Sequence, residues 1–258
     1  MIRVLGLLLV LATPVLANEI GGPIPAADIY VLGERHDNPD HHLTQAAVIA
    51  EVAPTAVVFE MLTPEQAEII LEMGAVDPVA IGWDRSGWPD FSLYAPVFDA
   101  ATGARIFGAQ VDRDRARRAM QDGLVASFGE DAARYGLDEP LPEAQLEARL
   151  ALQDEAHCNA MPADMLPAMV DIQRLRDGEL ARAALAALDD TGGPVVVITG
   201  NGHARMDWGA PALIALARPD VDQFVLGQTE DDQLLEGGFD LILSSPEMAR
   251  DDPCDVFR

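Results

Sequence analysis

Pro194-Val195-Val196-Val197-Ile198-Thr199-Gly200-Asn201-Gly202-His203 is the stretch that decides the fold. From Pro194 to Ile198 it has no polar side chain, which marks a strand buried on both faces, and such strands belong to parallel sheets covered by helices. Ala27-Asp28-Ile29-Tyr30-Val31-Leu32 reads the same way, stops at Gly33 and delivers Glu34-Arg35-His36. Ala56-Val57-Val58-Phe59 is another short apolar strand, ending in Glu60. Pro39 to Val52 has helical spacing with Asp37 or Asn38 as cap. Thr63-Pro64-Glu65-Gln66 opens a further helix with a cap, a proline at its first position and early acid. Strand, helix, strand, helix predicts an α/β fold: a mainly parallel sheet flanked by helices.

Further along, Arg105-Ile106-Phe107-Gly108-Ala109 predicts a third strand, Ala210 to Ala217 a helix, and Gln223–Leu226 and Phe239–Leu243 two more strands. Residues 112–190 are helical almost throughout, with clear segments over Gln145–Glu155 and Pro167–Leu188, and read as an all-helical insertion or subdomain. Neither a solenoid repeat nor a low-complexity linker interrupts the chain, so residues 18–258 are expected to form a single α/β domain.

The chain has 258 residues and a net charge of -26. Such a field repels phosphate backbones, which argues against nucleic acid as a partner. All its basic side chains are arginines; with no lysine, Schiff-base and P-loop lysine chemistry is excluded. Arg3 followed by the apolar run Leu5–Leu16 and Val15-Leu16-Ala17 has the order of a secretory signal peptide, residues 1–17. An exported, soluble periplasmic protein is expected, with no integral span after cleavage; Asn18-Glu19-Ile20 holds no lipid-attachment cysteine. Cys158 and Cys254 suit an oxidising compartment and are expected to pair. The other reading makes Cys158 a thiolate ligand beside His157, although adjacent residues rarely aim at one metal.

Ligands of parallel α/β sheets bind beyond the carboxyl ends of the strands. Three predicted strands end there in ionisable groups: Glu34 and His36, Glu60, and His203. Two imidazoles with carboxylates form a nitrogen and oxygen donor set for a divalent metal, or an acid–base pair. His36 and His203 both sit in Gly-x-x-His, where glycine permits a tight turn and close approach. His41 and His42 either face the same cleft or lie on the surface, and His157 reads as structural. Trp83, Trp88, Phe91 and Tyr94 crowd a loop rich in glycine and proline. They either plug the sheet against the helical block or make a platform for a flat ligand, and tyrosine is a known axial ligand of haem iron.

Gly33-Glu34-Arg35-His36-Asp37-Asn38-Pro39-x-His41-His42-x-x-Gln45 resembles the opening motif of the ChaN-like haem-binding uptake proteins, in the Tiki/TraB/erythromycin-esterase-like superfamily. Glu60-Met61, Trp83-x-x-Ser86-Gly87-Trp88-Pro89, Tyr94-x-Pro96, Gln173-x-x-Arg176-Asp177 and Gly200-Asn201-Gly202-His203-Ala204-Arg205 are similar to its later blocks, in order. The resemblance implies a periplasmic haem-binding protein of haem or iron uptake, with haem as ligand and a ligand-induced homodimer. Tyrosine ligation of the iron would then fall to Tyr94, with His36 or His203 near it, Trp88 in the pocket, and Arg85 or Arg205 on the propionates. The alternative implied by the wider superfamily is a hydrolase or protease using a divalent metal ion. Its metal and catalytic residues would be Glu34, His36, Glu60 and His203.

Overall fold

Alternation of apolar side chains along four central strands creates two buried faces, and helices cover both. In the computed structural model, which describes residues 22–257, the strands are β1 (Ile29–Glu34), β2 (Ala56–Phe59), β3 (Arg105–Gly108), β4 (Val195–Gly200), β5 (Gln223–Glu230) and β6 (Leu241–Ser245). All pair in parallel, in the order β3-β2-β4-β1-β5-β6. The helices are α1 (Pro39–Val52), α2 (Pro64–Met73), α3 (Phe91–Ala100), α4 (Arg113–Asp122), α5 (Leu124–Phe128), α6 (Glu143–Ala156), α7 (Leu166–Thr191) and α8 (Ala210–Ala217). This is the α/β architecture the strand and helix pattern predicts.

Tyr30, Leu32, Val57, Phe59, Val196 and Ile198 point to one face and pack under α1, α2 and α3. Ile29, Val31, Val58, Val195 and Val197 point to the other, in one core with Ala119, Phe128, Leu175, Leu180 and Ile214. The helical stretch 112–190 therefore contributes a covering layer of the sheet. Trp83, Phe91 and Tyr94 lie in the core on the opposite face, so they do not wedge the sheet against that stretch. Phe98 joins them, stacked on Phe59 with ring centroids 4.3 Å apart. α3, hidden in the sequence by Pro96 and the aromatic loop before it, supplies this layer.

Several local signals form as read. Asn38 rather than Asp37 caps α1, accepting a bond from the Asp40 amide at 2.9 Å. Thr63 and Gln66 close a reciprocal capping box on α2. Gly33 does not stop β1; the strand runs on to Glu34. A Cβ on Gly33 would lie 2.5 Å from Asn201 Oδ1, so glycine is required there by the close approach of the neighbouring loop. β5 also runs four residues beyond the apolar stretch, to Glu230, because Gln228 and Glu230 are buried by polar partners. Gln228 Nε2 donates to the carbonyls of Gly33 and His41, and Glu230 receives Arg250.

Cys158, just after α6, is bonded to Cys254 in the C-terminal tail, 96 residues away. The same tail carries Arg250, whose guanidinium bridges Asp37 and Glu230. Among the described residues no helix is long and apolar enough to cross a membrane. The expected signal peptide lies outside the described residues.

Candidate functional site

β1, β4 and β2 are three adjacent strands, and their carboxyl ends bring Glu34, His36, Glu60 and His203 to one edge of the sheet. Glu34 is buried at the end of β1. Its Oε1 accepts from the Tyr94 hydroxyl at 2.6 Å and from His36 Nδ1 at 2.8 Å. The His42 ring lies on its other side, with Nε2 3.4 Å from Oε2. Burial works to raise the Glu34 pKa, but the bonds and charges of His36 and His42 outweigh it and hold the group ionised. Burial and the carboxylate beside it together push the Tyr94 hydroxyl far up, so it remains a donor.

His36 turns its other nitrogen outward. Gly200 makes the room: a Cβ there would lie 3.0 Å from His36 Nε2. That glycine and Gly33 sit inside strands and serve close approach rather than a reversal of the chain. The two Gly-x-x-His units are also out of register by one residue, because Glu34 pairs with Gly200. His203 is accordingly held differently. Its Nδ1 donates to Asp177 of α7 at 2.6 Å, and its Nε2 stands 3.7 Å from Glu60 Oε1. Glu60 itself accepts from the Thr199 hydroxyl at 2.6 Å and the Gly200 amide at 2.9 Å. Arg149 reaches Asp177 from α6 and donates to the Trp208 carbonyl.

Burial disfavours the charged form of both imidazoles, yet the carboxylates prevail. His203 is raised by Glu60 and Asp177, and His36 is raised to about 9 by Glu34, Glu60 and Asp37. The free imidazole titrates near 6.5. Stability supplied by the His36 charge is therefore complete below about pH 6.5 and is lost as the pH rises towards 9. One proton gives a slope of at most about 1.4 kcal/mol per pH unit, less here because part of the ring meets water. Denaturant unfolding of wild type and His36→Gln across that window checks this. The wild type should weaken with pH and the variant should weaken less; parallel curves would mean that the pair does not act.

Two cavities meet at these histidines. One, of about 640 Å³, is lined by His36, Glu60, Trp88, Gln173, Arg176 and His203 among others. The second, of about 440 Å³, shares His36, Gln173 and His203 and continues over Gly202 to Arg205 and Trp208. Trp88 meets His36 edge to face at 4.9 Å. Tyr94 is wholly buried behind them and lines neither cavity. Arg205 forks onto Asp207 at 2.9 and 2.7 Å and lies over the Trp208 ring. His41 is buried, accepting from the Arg35 amide and meeting the Thr229 carbonyl. His157 closes the end of α6 on the Gln153 carbonyl and lines neither cavity.

The donor set does not fit the divalent ion of the hydrolase reading. Among the described residues no three His, Cys, Asp or Glu side chains are arranged to hold a metal. Each imidazole gives Nδ1 to its own carboxylate, Glu34 Oε1 is taken by Tyr94 and His36, and Glu60 Oε2 by Thr199 and Gly200. Gln173 and Asp177 entered the sequence reading only as part of a family-like block, with no site role, and Arg149 did not enter it. A signal existed, since Gln173, Arg176 and Asp177 fall at helical spacing on one helix.

A parallel α/β protein with a ligand cleft beyond the carboxyl ends of its central strands is thus the class that fold and site define. The profile of the family "Haem-binding uptake, Tiki superfamily, ChaN" matches residues 23–214, and the chain belongs to that family. Its fold is similar to that of ChaN of Campylobacter jejuni, described as binding heme cofacially. That comparison gives a TM-score of 0.58 and 18% identity over 81% of this chain and 84% of that one. The erythromycin esterase EreC, as a mutant in its open conformation, is more distant. It gives a TM-score of 0.45 and 15% identity over 79% of this chain and 70% of that one. Among curated proteins none matches the chain.

Proposed function

We propose that the protein binds haem in the cavity lined by His36 and Trp88 and serves haem or iron uptake. The observation that carries this reading is an imidazole about one-third exposed, whose Nδ1 is anchored on a buried carboxylate, beside an indole ring and lining two cavities. Iron-ligating histidines are oriented by such a second bond. Family membership supports the same ligand. The cavity volume lies in the range that encloses small molecules and cofactors.

The iron ligand in this reading is His36, whose Nε2 gives up its proton when iron binds while Nδ1–H stays on Glu34. Tyr94 is fully buried with its hydroxyl on Glu34. Tyr30 and Tyr135, the remaining tyrosines, are buried as well, Tyr30 on the Pro25 carbonyl. Export to the periplasm and a haem-induced homodimer belong to the same proposal. The first is supported by the signal-like residues 1–17 and the disulfide, the second by the resemblance alone.

Titration of the tag-free chain with haemin, followed by absorbance, tests the reading. A saturable Soret change at fixed stoichiometry is expected, with its position altered in His36→Ala. A featureless, non-saturating titration would sink it, and a spectrum unmoved by His36→Ala would return the iron to another residue. Sedimentation of the loaded protein reads the dimer.

A further inference from the structure

The larger cavity is ringed by arginines that have no carboxylate of their own. Several other guanidinium groups of this acidic chain are tied down: Arg250 by Asp37 and Glu230, Arg182 by Glu179, Arg218 by Asp189 and Asp220. Arg85, Arg113 and Arg176 make no ion pair with any described carboxylate, and all three line the one cavity. They come from three separate elements: the turn before Ser86, the first position of α4, and α7.

Glycines admit two of these groups. A Cβ on Gly82 would lie 2.8 Å from Arg85 Nη2, and one on Gly87 would lie 3.2 Å from Arg113 Nη2. Both glycines also hold positive φ, of 66° and 87°. The carboxylates on the same wall are already engaged. Asp112 caps α4, Asp114 pairs with Arg117, and Glu60 accepts from Thr199 and Gly200 on Oε2 and faces His203 with Oε1. Trp88 Nε1 is buried with no acceptor, and its indole borders the cavity. Three guanidinium forks without a carboxylate, of which Arg176 alone has a side-chain acceptor in Gln173 Oε1 at 3.4 Å, suit planar oxyanions such as carboxylates.

Resting on the haem reading, we propose that Arg85, Arg113 and Arg176 clamp the carboxylates of a tetrapyrrole, so that the chain takes porphyrins by their acid groups, with or without iron. Iron ligation then adds to a site that already recognises the ring's charged edge.

Titrating the tag-free protein with haemin, metal-free protoporphyrin and haemin dimethyl ester, read by tryptophan quenching and absorbance, tests the clamp. Protoporphyrin should bind saturably, and the ester about tenfold or more weaker than the diacid. Arg85→Gln and Arg113→Gln, both exposed positions that folding tolerates, should each weaken the diacid by about tenfold and leave the ester unchanged. Equal binding of haemin and its ester, or variants indistinguishable from wild type on haemin, would overturn the clamp and leave the haem reading standing. Failure of haemin itself to saturate the wild type would overturn both.

Discussion

Replacing Glu34 by alanine should lower the unfolding free energy by about 3–5 kcal/mol, the range seen when one partner of a buried charged cluster is removed. The carboxylate is the shared acceptor for Tyr94 and His36 and the counter-charge facing His42. Without it the Tyr94 hydroxyl keeps only contacts of 3.4 Å to His36, and the His42 ring loses the carboxylate it faces. Glu34→Gln retains an acceptor for Tyr94 and should lose less. Because the four groups form one network, Tyr94→Phe added to Glu34→Ala should cost less than the sum of the single changes. Denaturant unfolding of the four proteins checks this. A loss below about 1 kcal/mol in Glu34→Ala would mean that water or a rearranged His42 replaces the carboxylate.

Breaking the disulfide is the other large effect expected. Linking Cys158 to Cys254 closes a loop of 96 residues, for which chain entropy predicts about 4–5 kcal/mol. For a chain of this size that corresponds to a fall in Tm on the order of 10–15 °C. The tail also positions Arg250, which locks Asp37 beside the β1 site loop and holds both Asp37 and Glu230 ionised through its hydrogen bonds. Cys254→Ser, or wild type in reductant, should therefore melt lower. The Cys158→Ser/Cys254→Ser double variant should melt low in either condition. A wild-type Tm indifferent to reductant would show that the tail holds by its ion pairs alone.

How much of this was legible in the chain follows from the range of the forces involved. β1, β2 and β4 are apolar runs whose burial is intrinsic, and the α2 capping box is a contact over three residues, so both were readable. The meeting of Glu34, His36, Glu60 and His203 followed from the rule for parallel sheets. Non-local geometry lay beyond reading. Gly33 looked like a stop because nothing local announces Asn201 pressing on it. The end of β5 looked like a loop because Gln228 and Glu230 are buried only through partners on β1, α1 and the tail. Tyr94 looked accessible in an aromatic loop, yet it lies in a helix whose buried face includes it. Asp177 was visible only as part of a motif, since its partner His203 lies 26 residues away.

The two cores on either face of the sheet share no side chain: α1, α2 and α3 close one, and α4, α5, α7 and α8 close the other. The cavity at the carboxyl edge is where they come together, with Trp88 rooted in the first layer and Arg176 and Gln173 on the helix that anchors the second. A molecule seated there is a strut between two half-shells that are otherwise joined through the sheet. Occupancy is then felt across the whole chain, because separating either layer from the sheet first requires letting the strut go.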